Sequence, residues 1–357
     1  MIECARKVLF DNFAVSSDDR VLVFFDEISL RRTPEVISAF ILAANEIPLP
    51  FLSVCFKSTG SHGAEPPVEL WEILFGRDFV RILDGVGLLD KVLKKEVRES
   101  VIDEFIGSVL LKYNVIIALS YYSTTHTIFR KIATTCGGRY ASMPLFESGM
   151  LCGSAAVDVD ELSELTGKVA EFLNKADLAE IGAPNGTFLQ MSLKGRVSKE
   201  DDGNLRNPGS YGNLPAGEAF IAPVEGTTNG VLVIEYAGEK RLSEPLKLFI
   251  KDGIVQSFEP ETHYFARFLK DVFSKYPSAA NIAELGVGTN RRAKNPANVL
   301  EAEKILGTVH IALGDNEGFG GNVRVPFHID FVVFEPTLKL EVEGRWTVLI
   351  ERGKLLV

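Results

Sequence analysis

RVLVFFDE, residues 20–27, is an apolar run that begins after one arginine and is closed by two acidic residues, and it decides the class of the N-terminal half. A continuous apolar run of this length predicts a strand that is buried on both faces. The next segment, TPEVISAFILAANEI at 33–47, predicts a helix with Thr33 as its N-cap and Pro34 at its first position. The two segments together predict a strand followed by a helix that covers it.

The same alternation continues along the N-terminal half. Apolar runs at 49–56 and 114–120 predict two further strands, and the pattern at 92–112 predicts a helix between them. Buried strands that alternate with helices are typical of a parallel, doubly wound sheet. No G-x-G-x-x-G motif follows the first strand, so the sequence does not predict a dinucleotide site of the common type.

The pattern of the sequence changes after Leu151. After a helical segment at 158–176, short apolar runs are separated by turn signals, and a second clear helix is predicted at 261–277. The turn signals are PNG at 184–186, KG at 194, NG at 229, AGE at 237 and KDG at 251. They predict hairpins. We therefore expect an α/β domain over 1–155 and an α+β domain over 156–357, whose largely antiparallel sheet carries the functional site.

Composition limits the class of function. The 357-residue chain carries a net charge of -10 and has no long basic run, which argues against a nucleic-acid partner. No stretch approaches the roughly 20 apolar residues of a membrane helix, and the start does not resemble a signal peptide. The four cysteines lie far apart without a C-x-x-C pair, which predicts neither a disulfide framework nor a thiolate zinc site. These features predict a cytoplasmic protein that acts on a peptide or another small molecule.

VPFHIDFVVF, residues 325–334, is a predicted buried strand that carries two polar side chains. Residues two apart on a strand point to the same face, so His328 and Asp330 present an imidazole and a carboxylate side by side. A buried carboxylate needs a cation, a protonated histidine or a metal, because leaving it unpaired costs several kcal/mol. A structural histidine–aspartate pair is the alternative.

Three more candidate ligands lie in apolar or turn-rich sequence. Glu218 lies in NLPAGEAFIAPVEGTTNG, Glu284 in NIAELGVGTN, and His310 in GTVHIALGDN. Together with His328 and Asp330 they form a set of nitrogen and oxygen ligands typical of one or two divalent metals. Independent structural roles for the five residues remain the alternative.

The series GTFLQMSLKGR, NLPAGEAFIAPVEGTTNG, AELGVGTN, VHIALGDN and HIDF resembles the M29 metallo-aminopeptidases, the group of aminopeptidase T and aminopeptidase S. The resemblance covers most of the chain. It implies that Glu218, Glu284, His310, His328 and Asp330 hold one or two divalent ions, zinc or cobalt, in a cleft of the C-terminal domain. It also implies a homodimer.

The chain departs from the peptidase pattern at three places. Gly217 stands where these peptidases carry a second consecutive glutamate, and Glu317 stands where they carry a metal-binding tyrosine. The segment between His310 and His328 is also shorter. Glu317 is therefore a further candidate ligand, and a solvated loop residue is the alternative.

The resemblance implies an aminopeptidase in which a metal-activated water attacks the peptide carbonyl. No catalytic residue is assigned, because no free carboxylate stands out as the general base. The alternative is a non-haem iron(II) ring-cleaving dioxygenase of the dihydroxypyridine type, since His310, His328 and Asp330 satisfy its two-histidine, one-carboxylate count and such an enzyme resembles the same fold. Another metal-dependent hydrolase and an inactive relative also remain open.

Three residues are candidate substrate contacts. Asn290 and Asn316 lie in short turn-like segments, and Arg196 follows SLKG as a candidate partner for a substrate carboxylate. Ordinary turn chemistry is the alternative for the two asparagines.

Overall fold

The structure is a computed structural model that describes residues 1–97, 101–107, 109–237 and 240–357. The chain divides into two compact units. The first contains Met1–Val159 and Gly203–Ala216, and the second contains Asp160–Asp202 and Gly217–Val357. Part of the predicted C-terminal domain, Gly203–Ala216, thus belongs to the first unit.

The first unit is built on a five-stranded parallel sheet, as the sequence predicts. Its strands are β1 (Val21–Asp26), β2 (Phe51–Phe56), β3 (Val115–Leu119), β4 (Arg139–Ser142) and β8 (Tyr211–Asn213). Their order is β2-β1-β3-β4-β8, and every pair is parallel. All residues of β1 and β3 are buried, which explains their continuous apolar sequence. The segment Gly203–Ala216 belongs to this unit because its strand β8 pairs with β4 at the edge of the sheet.

Short helices cover the parallel sheet. They are α1 (Ile2–Lys7), a π-helix (Val8–Asn12), α2 (Glu27–Arg32), α3 (Pro34–Asn45), α4 (Val68–Phe75), α5 (Arg77–Gly85), α6 (Leu89–Leu93), α7 (Asp103–Ile106), α8 (Ile128–Thr135), α9 (Ser148–Cys152) and a 3-10 turn (Ser154–Ala156). The ring of Phe129 on α8 packs edge-on against Phe24 of β1 and Trp71 of α4, with centroids 6.0 and 5.6 Å away. Among the described residues, no helix combines the length and the apolar composition needed to cross a membrane.

Two predictions for the first unit are wrong. The predicted helix at 92–112 is replaced, in the described part of that segment, by the end of α6 and the short α7. Lys95 has a positive φ of 58°, a conformation that ends a helix. Cys4 of α1 and Cys152 of α9 form a disulfide, with their Cα atoms 5.3 Å apart, whereas the spacing of the cysteines predicted none. This pairing depends on how two short helices pack, which the separation of 148 residues does not reveal.

The second unit contains two antiparallel sheets, again as predicted. The eight-stranded sheet has the order β12-β11-β10-β6-β5-β16-β17-β18. Its strands are β5 (Leu178–Gly182), β6 (Phe188–Ser192), β10 (Asn229–Ala237), β11 (Lys240–Lys251), β12 (Ile254–Glu259), β16 (Thr337–Val342), β17 (Arg345–Glu351) and β18 (Lys354–Leu355). The turn predicted at 237–239 lies partly outside the described residues, because 238 and 239 are not among them.

The other sheet of this unit, the five-stranded antiparallel sheet, has the order β15-β14-β13-β9-β7. Its strands are β7 (Lys199–Asp201), β9 (Glu218–Ile221), β13 (Ile282–Gly288), β14 (Val309–Gly314) and β15 (His328–Val333). The helices of the unit are α10 (Val159–Lys175), α11 (Tyr264–Lys275) and α12 (Val299–Ala302), with 3-10 turns at Pro277–Ala280 and Glu317–Phe319. Buried apolar residues of both antiparallel sheets form one core cluster, which includes Leu285, Ile311 and Phe331.

Candidate metal centre

Alternation along the five-stranded antiparallel sheet separates its core face from a polar face. On β14 the side chains of Val309, Ile311 and Leu313 join the apolar core, so that of His310 points to the opposite face. On β15 Phe331 and Val333 join the core in the same way. The remaining positions of these strands carry the predicted ligands.

Strand register brings the predicted ligands into neighbouring rows of the polar face. Glu284 of β13 is paired with Ala312 of β14, and Ala312 is paired with Asp330 of β15. The small side chain of Ala312 therefore lies between two carboxylates. In the next row, His310 is paired with Gly286 of β13.

The imidazole of His310 lies across Gly286. A β-carbon built on Gly286 would stand 1.9 Å from the Nε2 atom of His310 and 2.0 Å from its Cε1 atom, so only glycine leaves room for the ring. Lying across β13, the imidazole places Nε2 at 3.2 Å from Oε1 of Glu284 and 3.3 Å from Oε2 of Glu218. The glycine of GVG thus has a steric role that its sequence context alone did not reveal.

His328 and Asp330 are close together, as the two-residue spacing predicted. The Nε2 atom of His328 lies 3.4 Å from Oδ1 of Asp330 and 3.6 Å from Oε2 of Glu284. Its Nδ1 atom lies 2.9 Å from the carbonyl oxygen of Asp315 and can donate to it. Metal-binding histidines commonly hold the other ring nitrogen in this way, which fixes the tautomer and points the free nitrogen at the ion.

Ligand atoms of Glu284, His310 and Asp330 all lie within 4.8 Å of one another, the only such group among the described residues. Glu284 and His310 are buried at 5% and 1% exposure, whereas the side chains of Asp330 and His328 are 21% and 26% exposed. The arrangement is therefore closed on its β13 side and open on its β15 side. Imidazole and carboxylate donors in this number suit iron, zinc, cobalt or manganese.

The carboxylates make both imidazoles strongly basic. Burial alone would lower the pKa of His310, but Glu284 and Glu218 outweigh it and raise that pKa to about 9. In the same way Asp330 and Glu284 raise the pKa of His328 to about 10, against its desolvation. Burial raises the pKa of Glu284, and His310 offsets part of that rise. One divalent ion carries the same charge as the two protons that it would displace from the imidazoles, so the residues fit such an ion.

Glu218 has a second partner that the sequence analysis missed. Its Oε1 atom lies 2.5 Å from Nζ of Lys304, and that lysine is fully buried. Nζ of Lys304 also lies 3.0 Å from Glu303 and 3.3 Å from Asp201. The sequence contains one signal for this pairing, which is the lysine next to apolar residues in EKILG. A lysine is almost never fully buried unless it is paired, so a lysine in such a context indicates acidic partners.

Two of the departures from the peptidase pattern have structural consequences. Gly217 adopts φ +125°, and a β-carbon there would lie 2.6 Å from Cβ of Asn290. A glutamate in its place would therefore be strained and would clash. Glu317 lies in an exposed 3-10 turn with Oε2 at 3.5 Å from Nε of Arg324, and its side chain is 56% exposed. The structure thus does not bring Glu317 to the cluster.

The candidate substrate contacts are engaged within the second unit. Asn290 is buried and accepts a hydrogen bond from the backbone of Arg292, as in a turn. Arg196 donates to a carboxylate oxygen of Glu225 and to the carbonyl of Gly320.

Glu225 is the centre of a small network that includes the third candidate. It accepts from Nδ2 of Asn316 at 3.0 Å and from the backbone and side chain of Asn322 at 2.8 and 3.1 Å. Burial by itself raises the pKa of Glu225, but these hydrogen bonds outweigh it and lower that pKa to about 2. Arg196 and Asn316 therefore anchor the loop between β14 and β15.

Comparisons with known proteins find the same fold in proteins that are described by two different activities. A family model described as NicX, 2,5-dihydroxypyridine 5,6-dioxygenase, matches residues 156–356. The structure of 2,5-dihydroxypyridine dioxygenase from Pseudomonas putida KT2440 is similar with TM-score 0.69 and 16% identity, over 100% of this chain and 96% of that one. Wild-type AmpT from Thermus thermophilus is similar with TM-score 0.64 and 14% identity, over 100% and 98%. At these identities the two structures show a shared fold. No curated protein matches the chain.

Proposed function

The chain belongs to the NicX family, described as 2,5-dihydroxypyridine 5,6-dioxygenase, and from this premise we propose that it is a mononuclear iron(II) dioxygenase that opens a dihydroxylated nitrogen heteroaromatic ring. One observation supports the proposal most strongly. Ligand atoms of His310, Asp330 and Glu284 lie within 4.8 Å of one another on the polar face of the five-stranded antiparallel sheet, and Nε2 of His328 lies 3.4 Å from Asp330 and 3.6 Å from Glu284. Two histidines and one carboxylate are the ligand set of non-haem iron(II) oxygenases.

Each residue has a distinct task in this proposal. His310, His328 and Asp330 would hold the ion, and Glu284 would position both imidazoles from the closed side. Its two carboxylate oxygens lie 3.2 and 3.6 Å from the two imidazole Nε2 atoms. The carbonyl of Asp315 keeps the His328 ring oriented through Nδ1. Bound iron(II) would supply the place where the electron-rich ring and O2 react.

The aromatic residues beside the exposed side of the ligand cluster suit a flat aromatic substrate. The ring of Phe319 lies edge-on to His328, with centroids 6.1 Å apart, and edge-on to Phe220 at 5.4 Å. These rings form an apolar wall beside the exposed side of the ligand cluster, and a planar ring can pack against them. The substrate in the family's description, 2,5-dihydroxypyridine, is a ring of this shape.

A metallo-aminopeptidase is the second candidate, favoured by the fold shared with AmpT and by the presence of Glu218 beside His310. Three observations weigh against it. Lys304 already pairs with Glu218, Asn290 fills the space of a side chain at position 217, and Glu317 lies in an exposed turn. A two-metal hydrolase needs ligands for a second ion, and these positions do not provide them.

An activity panel separates the candidates. Protein loaded anaerobically with iron(II) is mixed with 2,5-dihydroxypyridine, and O2 uptake and loss of the substrate's ultraviolet absorbance are followed. Protein loaded with zinc or cobalt is given leucyl and alanyl chromogenic substrates. We expect O2 uptake with iron, its loss in Asp330→Asn, and its retention in Glu180→Gln, a carboxylate of β5 outside the cluster. Hydrolysis without O2 uptake, or inactivity in both assays, would refute the proposal.

A further inference from the structure

Lys304 forms a buried cation site directly beside the candidate metal centre. Its side chain has no exposed surface, and its ammonium is surrounded by carboxylate oxygens of Glu218 at 2.5 Å, Glu303 at 3.0 Å and Asp201 at 3.3 Å. These residues come from β9, from the turn after α12 and from β7. Glu303 directly precedes Lys304 in the chain, whereas Glu218 and Asp201 are paired residues of two neighbouring strands, so local sequence supplies one carboxylate and the fold supplies the other two.

Glu218 joins this cation site to the metal centre. Its Oε1 atom is bound to the ammonium, while its Oε2 atom lies 3.3 Å from Nε2 of His310. That Oε2 atom is buried and has no hydrogen-bond partner among the described residues. A carboxylate that bridges a pair of metal ions places one oxygen on each ion. Glu218 is arranged in this way, with one oxygen at each of two cation positions. Here an ammonium occupies one of the two positions.

A buried ammonium in this position needs the acidic side chains around it, and Glu218 is the nearest of them. Desolvation of a lysine is costly and is repaid only by close, well-placed counter-charges. The reverse also holds, because removing the ammonium would leave Asp201, Glu218 and Glu303 facing one buried space without the cation that they share. Three carboxylates around one space are a ligand set for a hard divalent cation.

We propose that Lys304 is a built-in substitute for a second metal ion: its ammonium fills the cation position formed by Asp201, Glu218 and Glu303 and limits the centre to a single ion. The inference rests on the proposed metal centre at His310, His328 and Asp330. It explains why this chain keeps Glu218 while the peptidase features at positions 217 and 317 are absent. The Lys304 ammonium also holds Glu218 beside His310, which makes Lys304 a positioning residue.

Metal stoichiometry tests this inference without any assay of activity. Wild type, Lys304→Ala and Lys304→Met are stripped with a chelator, titrated with cobalt(II), passed through a desalting column and analysed for metal by mass spectrometry. We expect one ion per chain in the wild type and in Lys304→Met, whose side chain still fills the space. We expect two ions in Lys304→Ala. The control Lys339→Ala removes a partly buried lysine far from these carboxylates in sequence, which pairs with Glu180 at 2.8 Å, and it should keep one ion.

Thermal unfolding gives a second readout. Cobalt should raise the melting temperature of Lys304→Ala by several degrees more than that of the wild type, because the second ion replaces the missing charge. Two ions in the wild type, or one ion in folded Lys304→Ala at cobalt concentrations that saturate the wild type, would overturn the inference. If Lys304→Ala does not fold even with cobalt, the wild-type stoichiometry decides: one ion supports the inference and two refute it.

Failure of the proposed reaction is distinguishable from failure of this inference. A wild type with one ion and a Lys304→Ala variant with two ions would support the role of Lys304 even if 2,5-dihydroxypyridine were not consumed. Conversely, O2 uptake by a protein that binds two ions would support the dioxygenase and refute the role of Lys304.

Discussion

The imidazole of His310 lies over the backbone of Gly286 on the neighbouring strand, where a β-carbon would stand 1.9 Å from Nε2. The two residues are paired across β13 and β14. Because the ring crosses the strand at this glycine, one histidine reaches both Glu284 and Glu218. The position of the candidate metal centre therefore depends on a residue that has no ligand atom in its side chain.

Gly286→Ala should displace His310 from the cluster. The added methyl group forces the imidazole to rotate, and overpacking of this kind costs about 1–3 kcal/mol of stability. We expect metal affinity to fall by roughly 10- to 100-fold, as when the support of a ligand is lost. Cobalt titration and thermal unfolding measure both effects. Gly182→Ala on β5 is the matched control, because no atom lies within 4 Å of its added β-carbon, and it should bind cobalt like the wild type.

The metal-free protein should lose stability as the pH rises. The folded pKa values of His310 and His328 are raised to about 9 and about 10, whereas an unfolded histidine has a pKa of about 6.5. Their contribution is therefore fully present below about pH 6.5 and is lost as the pH rises through 9 to 10. The melting temperature of the metal-free protein, measured from pH 6 to pH 10, should fall across this range. If the melting temperature of the double variant His310→Gln/His328→Gln fell equally over this pH range, groups other than these two histidines would be the cause.

Metal affinity should show the opposite dependence on pH. An imidazole must lose its proton before it can bind an ion, so protons compete with the metal at both histidines. We expect cobalt affinity to increase from pH 6 to pH 9, with release of protons on binding. Calorimetric titration in two buffers of different ionisation enthalpy measures that release. Binding without proton release at pH 7 would contradict the assignment of His310 and His328 as ligands.

Asp330 and Glu317 should differ sharply as ligands. Asp330 lies 3.4 Å from His328 within the cluster, whereas Glu317 is exposed and paired with Arg324. Asp330→Asn removes a charged ligand and should reduce cobalt retention after desalting to a small fraction of the wild-type level. Glu317→Gln should retain as much cobalt as the wild type. Loss of cobalt from Glu317→Gln would indicate that Glu317 is a ligand, in the place of the metal-binding tyrosine of the peptidases.

The network around Glu225 should contribute to stability rather than to metal binding. Glu225→Gln weakens charge-assisted hydrogen bonds to Arg196 and Asn322, a loss of about 1–3 kcal/mol. Because the folded pKa of Glu225 is lowered to about 2, this contribution is present above the unfolded pKa of about 4.3 and is lost as the pH falls towards 2. Denaturant unfolding at pH 7 measures the loss, and an unchanged cobalt stoichiometry is the expected companion result. A change in stoichiometry would show that the loop also shapes the metal centre.

Local patterns in the sequence predict much of this structure. Continuous apolar runs predict β1 and β3, because strands buried on both faces must be apolar throughout. The two-residue spacing of His328 and Asp330 predicts their contact, since the period of a strand is two.

Features that depend on long-range packing are not predictable in the same way. Lys304 pairs with Asp201 only because β7, β9 and the turn after α12 pack together. The sequence around Lys304 does not indicate that a carboxylate on β7 is its partner. Strand β8 has three residues, too few to show a period, so its place in the parallel sheet was missed. The disulfide between Cys4 and Cys152 likewise joins residues 148 apart.

Anomalous diffraction at the iron edge, from crystals of wild-type protein grown anaerobically with iron(II), locates the bound ion and its ligands. We predict one iron per chain, bound by Nε2 of His310, Nε2 of His328 and the carboxylate of Asp330, with Nζ of Lys304 still paired with Glu218. Two metal ions per chain with Glu218 as a ligand, or an ion bound away from His310 and His328, would rule out a single iron site of this kind.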